Sequence, residues 1–236
     1  TAPGGDTIQG FHGQALNSCL IYSFCMRYEK LAHLYDSLSS TTKRLEKTNR
    51  LSRFLTQLDN DVKAILLLLQ GRVFGGGEEK IGVSEKTVIK AIALSAGTTE
   101  RRINEEWKRH GDLGTAAYKL IGKKQQSTLF STPLTVSKVH KNLQKLATMT
   151  GAGSVSHKIK LISELLTSAS PIEAKYIVRT ILEDLRIGIA QSSIRDALVW
   201  AFCADDLGLS YDGDLTVSDR ETYNDYVSRV QEAIDM

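Results

Sequence analysis

The strongest constraint on this chain is an internal repeat. Ile81-Gly82-Val83-Ser84, followed by Val88, Ala91 and Ile92, has the pattern of Ile187-Gly188-Ile189-Ala190, followed by Ile194, Ala197 and Leu198. Both read I-G-h-x-x-x-x-h-x-x-A-h, with h apolar, at an offset of 106 residues. Each copy follows a strongly apolar helical stretch and sets a glycine just before a helix start. A repeat at that distance predicts two similar halves, related by a pseudo-twofold axis.

The apolar spacing between and around the copies is helical. Tyr28 to Ser39 puts Leu31, Leu34, Tyr35 and Leu38 on one face, at i, i+3, i+4, i+7. Thr42 to Leu58 repeats this with Leu45, Leu51, Leu55 and Leu58. Val62 to Leu69 is apolar all round, which predicts deep burial. Gly71 to Gly77 reads as a loop, since glycines in a row end regular structure. Further helices are predicted at 84–96, 99–110, 112–122, 135–150, 155–168, 171–185, 191–204 and 218–235. Ser170-Pro171-Ile172-Glu173 carries a capping box with proline at the first helical position, and Ser218-Asp219-Arg220-Glu221 reads as a second box. Few windows alternate with period two, and only three prolines interrupt the chain. The predicted fold class is all-α, with about ten to twelve helices in two pseudo-symmetric halves and no sheet.

The net charge of +3 is too small to indicate a nucleic-acid partner. Its distribution says more. Residues 135–195 hold nine Lys/Arg against four acids, so the positive charge sits in one segment. By itself that segment also reads as a set of solvated helix faces. Three cysteines, Cys19, Cys25 and Cys203, have no metal-type spacing and fit a reducing cytoplasm better than a disulfide framework. No apolar run approaches the roughly 20 residues needed to span a bilayer. Residues 1–25 read as a flexible, non-native leader, with Met26 as the natural start of a helical domain over 26–236.

Helix N-termini expose unpaired N–H groups and the positive end of the helix dipole, which suits phosphate. Three starts combine this with glycine and cations: Gly82 with Lys86; Gly151, Gly153 and Ser154 with Lys158 and Lys160; and Arg186 with Gly188 and Arg195. Each alone reads more readily as a plain cap than as a phosphate site. Together, on a repeat, they fit a surface that grips a duplex backbone without reading bases. There is no phosphate-binding loop, no H-E-x-x-H and no G-x-S-x-G, and the five histidines lack metal-ligand spacing. No residue is predicted to be catalytic or to bind metal.

Several segments resemble the archaeal and eukaryotic ATP-dependent DNA ligases. Met26-Arg27-Tyr28 with Leu31, Tyr35 and Leu38, then Thr42, Arg44 and Lys47-Thr48, is similar to the opening of those proteins. Glu173-Ala174-Lys175-Tyr176-Ile177-Val178-Arg179, followed by Leu185-Arg186-Ile187-Gly188-Ile189, resembles their E-A-K-Y signature. Thr150-Gly151-Ala152-Gly153-Ser154 with Lys158 resembles their T-G-x-G-S segment. The resemblance covers about residues 26–236. It implies an all-α DNA-binding domain that contacts the minor groove around a nick in double-stranded DNA, without sequence preference. It also implies a monomer serving ligation in replication, recombination and repair, cytoplasmic in an archaeon or nuclear in a eukaryote, with no membrane partner. Arg179 has two readings here, DNA contact or buried ion pair.

The resemblance also bears on catalysis and on partners. The family's ligation chemistry uses ATP, Mg and a K-x-D-G lysine in a separate nucleotidyltransferase domain, beside an oligonucleotide-binding barrel. This chain shows neither domain, and Ser210-Tyr211-Asp212-Gly213 has Ser at the lysine position. That tetrapeptide reads as a turn, and ATP and Mg are expected only for a full-length parent. Gln126, Leu129 and Phe130 resemble the short sliding-clamp segment of archaeal members, with Leu129 replacing the first aromatic. The alternative function is therefore a helical adaptor that docks a protein such as the clamp. The same segment also reads as a loop anchoring Phe130 in the core.

Overall fold

The computed structural model describes residues 25–58, 60–76, 80–123, 132–151 and 153–235. Gln126, Leu129 and Phe130, and the leader up to residue 24, lie outside the described residues. Eleven helices occur among those described: α1 (Tyr28–Ser39), α2 (Arg44–Leu55), α3 (Val62–Leu69), α4 (Glu85–Ala96), α5 (Glu100–His110), α6 (Leu113–Gly122), α7 (Val136–Thr148), α8 (Ser154–Ser168), α9 (Pro171–Ile181), α10 (Gln191–Phe202) and α11 (Arg220–Asp235). β1 (Ser210–Tyr211) pairs antiparallel with β2 (Leu215–Thr216). The chain is predominantly all-α, as its periodicity predicts. No described helix is long and apolar enough to cross a membrane.

The repeat is structural. Helices α1 to α4 recur in the same order as α7 to α10, starting at 28 and 136, 44 and 154, 62 and 171, 85 and 191. The halves meet at an isolated antiparallel bridge between Arg27 and Thr135. Tyr28 N donates to Leu134 O at 2.8 Å, and Val136 N donates to Met26 O at 2.9 Å. Exchanging the halves turns one bond into the other, so the pseudo-twofold axis runs through this bridge. The last helix of each half packs on the opposite half, α4 against α8 and α10 against α2, while α3 packs on α7 and α9 on α1. The halves therefore interlock around one apolar core that includes Tyr28, Tyr35, Leu51, Ile92, Leu143 and Tyr176. The α5–α6 hairpin is inserted between the halves, and α6 lies along α9. After α10 a smaller cluster of Val199, Trp200, Leu207 and Tyr223 seats α11, and Trp200 Nε1 donates to Tyr223 Oη at 3.2 Å.

The structure corrects several local readings. A two-stranded hairpin is present where no sheet is predicted. Its turn holds Asp212 and Gly213, so Ser210-Tyr211-Asp212-Gly213 is a turn as read. Helix α3 is not buried all round: Ile65, Leu68 and Leu69 are buried, but Val62 is 39% exposed. Its main helix partner is α7, which covers one side. In α2, Leu45 is exposed, and the buried stripe is Lys47, Thr48, Leu51, Ser52 and Leu55. The second cap sits one residue later than predicted. Asp219, not Ser218, accepts from Glu221 N and Thr222 N at 3.0 and 3.1 Å.

Helix α9 ends at Ile181 rather than 185. Glu183 N closes on Thr180 O at 3.1 Å and Asp184 N on Arg179 O at 2.9 Å, with Glu183 left-handed at φ +57°. This is the paired helix-ending bond pattern that normally has glycine at the left-handed position. A glutamate there gives no sequence signal for the stop.

A candidate nucleic-acid interface

Each I-G-h segment is an irregular stretch that leads into a helix, its course set by a glycine that is left-handed in both, Gly82 and Gly188 at φ +60°. L-residues adopt that conformation only at a cost, which is why glycine stands at equivalent points of the halves. Both glycines are exposed. Each segment receives a lysine ammonium from the helix that packs across from it. Lys158 of α8 donates to Gly82 O at 3.2 Å. Lys47 of α2 donates to Ile187 O at 2.7 Å and to Gly188 O at 2.9 Å.

The two segments adjoin. Ile81 N donates to Glu183 Oε1 at 2.8 Å, tying the first to the residues that lead into the second. Ser84 and Arg186 line the same cavity, about 290 Å³, with Trp107, Asp112 and Arg179. Lys158 thus bonds the first segment at Gly82, Ile81 bonds Glu183, and five residues further along the chain Gly188 is held by Lys47.

Gly151 (φ +88°) and Gly153 (φ +80°) form the exposed lead into α8, and Gly153 is its N-cap, where no side chain competes for the first amides. Ser154 opens that helix, half-buried. At the α4 start, Ser84 accepts from Thr87 N at 3.3 Å, so its hydroxyl serves as the cap. Lys86 is exposed in the first turn of α4. Lys160 is exposed on α8, but two residues after Lys158 it points about 200° away around the helix.

Arg186 is left-handed at φ +54°. Its Nε donates to Asp184 Oδ2 at 2.6 Å and its Nη1 to Gly111 O at 3.1 Å, and the Asp184 bond raises its pKa further. Arg195 is turned inward. Its Nε and Nη2 reach Asp196 Oδ1 at 3.1 and 2.8 Å, and Nη1 reaches Gln231 at 3.4 Å. Asp196 also takes Arg44 Nη2 at 2.7 Å. The structure thus brings Gly82, Ser84, Lys158, Arg186 and Gly188 together, and it aims Arg195 and Lys160 elsewhere.

Lys47 is the residue that sequence reasoning passes over as a site. A signal exists: it stands four residues before Leu51 and eight before Leu55, so a lysine occupies the apolar stripe of α2. Among the described residues, no group of three or more His, Cys, Asp or Glu side chains converges as a metal site. Cys25 and Cys203 are free thiols, and burial pushes the Cys203 thiol up.

A family model described as DNA ligase N terminus matches residues 27–199, a span that contains both glycine segments and their lysines. A DNA ligase of Methanobrevibacter smithii is 43% identical over 182 residues, covering 76% of this chain and 33% of that protein. A DNA ligase of Methanothermobacter thermautotrophicus is 44% identical over 180 residues, covering 75% and 32%. One from Nanoarchaeum equitans is 43% identical over 178 residues, covering 75% and 31%. The chain spans about a third of the length of these relatives.

Proposed function

The chain belongs to the DNA ligase N-terminal family, and on that premise we propose that it grips nicked duplex DNA by its sugar-phosphate backbone in the service of ligation. The observation that carries this reading is the pair of exposed left-handed glycines before helix starts, their segments tied by the Ile81–Glu183 bond and each backed by a lysine from the opposite half. A glycine turn into a helix start lets a phosphate come close to main-chain amides, and nearby cations add attraction without reading bases. Two such turns on a pseudo-twofold suit a duplex, whose strands are themselves related by local twofold symmetry. Bond formation, with ATP and Mg, belongs to other domains of a full-length parent.

Binding of nicked duplexes of two unrelated sequences tests the reading. Affinity should be alike for both and fall with salt by about 0.9 log units per log unit for each phosphate neutralised. Lys158→Glu combined with Arg186→Glu should weaken binding to both sequences equally. Parent-like affinity in that double variant sinks the proposed face. Labelled ATP should leave no covalent adenylate on the chain, since Ser210 offers a hydroxyl where the family's motif has a lysine amine.

A further inference from the structure

The second glycine turn is held by a charge that itself stays out of solvent. Lys47 is 7% exposed, and among the described residues it has no carboxylate partner. A buried ammonium is tolerated only where its donors are taken up. Here they go to two successive main-chain carbonyls, Ile187 O and Gly188 O.

That choice of acceptors fixes the direction of the peptide groups. In a trans peptide the C=O and the following N–H point opposite ways. With both carbonyls aimed inward at Lys47, the N–H groups of Gly188 and Ile189 face away from it. Neither N–H donates to a described residue. The dipoles of these two peptides have their negative ends at the ammonium and their positive ends outward, so they relay its charge to the exposed side of the turn. Glycine is required here twice over. φ is +60°, and a Cβ on Gly188 would lie 2.7 Å from Lys47 Nζ. The mate in the other half is looser: Lys158 is half-buried and, among the described residues, holds one carbonyl, Gly82 O, at 3.2 Å.

We propose that Lys47 is a positioning residue that orients the Gly188 and Ile189 amides of this turn toward an anionic backbone without touching it. The inference rests on the DNA-gripping reading above. It differs from a direct contact in what removal of the lysine should do.

The test compares the parent chain with Lys47→Met, Lys47→Arg and Gly188→Ala. Nicked-duplex affinity is measured across a salt series, alongside amide NMR signals and hydrogen exchange. Lys47→Met and Gly188→Ala should each bind roughly tenfold more weakly, the loss of one charge-assisted interaction. In Gly188→Ala the salt slope should stay at the parent value, since no cation is removed. The amide signals of Gly188 and Ile189 should shift in both variants, while the amides of Leu51 and Ile194 keep their protection from exchange. Lys47→Arg should restore part of the affinity.

Parent-like binding by Lys47→Met overturns the proposal. So does a slope reduced by about 0.9 with the Gly188 and Ile189 signals unmoved, because that is a direct phosphate contact. If Lys47→Met does not fold, Gly188→Ala decides, and parent-like binding by it overturns the proposal. If the parent binds no DNA, the wider reading fails. The amide signals still judge the lysine separately, and unmoved Gly188 and Ile189 signals in Lys47→Met reject its hold on the turn.

Discussion

Arg179 sets Nε and Nη2 on a single oxygen of Asp112, at 3.1 and 2.7 Å, and so joins the last turn of α9 to the start of α6. Asp112 is also the N-cap of α6, accepting from Gly114 N and Thr115 N at 3.1 and 3.0 Å. Both side chains are about nine-tenths buried, and the guanidinium lies 5.3 Å from the centre of the Tyr176 ring. Of the two readings of Arg179, the structure supports the internal ion pair.

Removing one partner should therefore cost far more than removing both. Arg179→Met leaves a buried carboxylate without its cation and should destabilise the chain by about 3–5 kcal/mol. Arg179→Met combined with Asp112→Asn should recover a large part of that loss. Urea unfolding of the single and double variants measures the difference. A double variant no more stable than Arg179→Met alone would contradict the pairing.

The same pair sets an acid limit on stability. Burial on its own would raise the Asp112 carboxyl, but the hydrogen bonds from Arg179 and Thr115 outweigh it and hold the pKa at about 2, against 3.8 ordinarily. The folded-state value is the lower one. The stabilisation is therefore fully present above the unfolded value and disappears as pH falls from about 3.8 to about 2. Thermal melts across that window should show a steeper loss in the parent than in Asp112→Asn.

At Gly114, α6 packs tightly against α9. A Cβ there would lie 2.7 Å from both Arg179 Cγ and Lys175 O, and the carbonyl cannot swing away as a side chain end can. Gly114→Ala should cost about 1–3 kcal/mol, despite alanine's better helix propensity, because helices must separate to admit it. Chemical unfolding against the parent checks the sign; a stabilised variant would mean that the helices yield freely.

Glu183 carries a left-handed backbone and a side-chain bond to Ile81 N. Glu183→Ala and Glu183→Gly both lose the bond, but only glycine relieves the backbone. The glycine variant should be the more stable of the two by about 1 kcal/mol. Equal stabilities would indicate that the turn relaxes when the carboxylate is lost.

Much of the fold is legible in local spacing. The run from Tyr28 to Ser39 repeats its apolar residues every three or four positions, and α1 has those bounds. Val62 to Leu69 and Ser170-Pro171 mark α3 and the start of α9 equally well. These signals depend on neighbours within a turn or two of chain. The 106-residue offset between Gly82 and Gly188 likewise indicates two halves, because both turns need the same left-handed residue.

What the amino-acid order determined by itself was thus the helices, the glycine turns and their repetition. Tertiary structure decided where several of the key charges went. Arg195 was claimed by its neighbour Asp196 and by Gln231, a residue 36 positions away, and Arg179 by Asp112, 67 positions back. Lys47 was turned inward to carbonyls 140 positions further on. The physical reason is range. Backbone conformation answers to interactions a few residues long, whereas a long charged side chain settles wherever the folded chain sets its acceptors, and no spacing along the sequence records that.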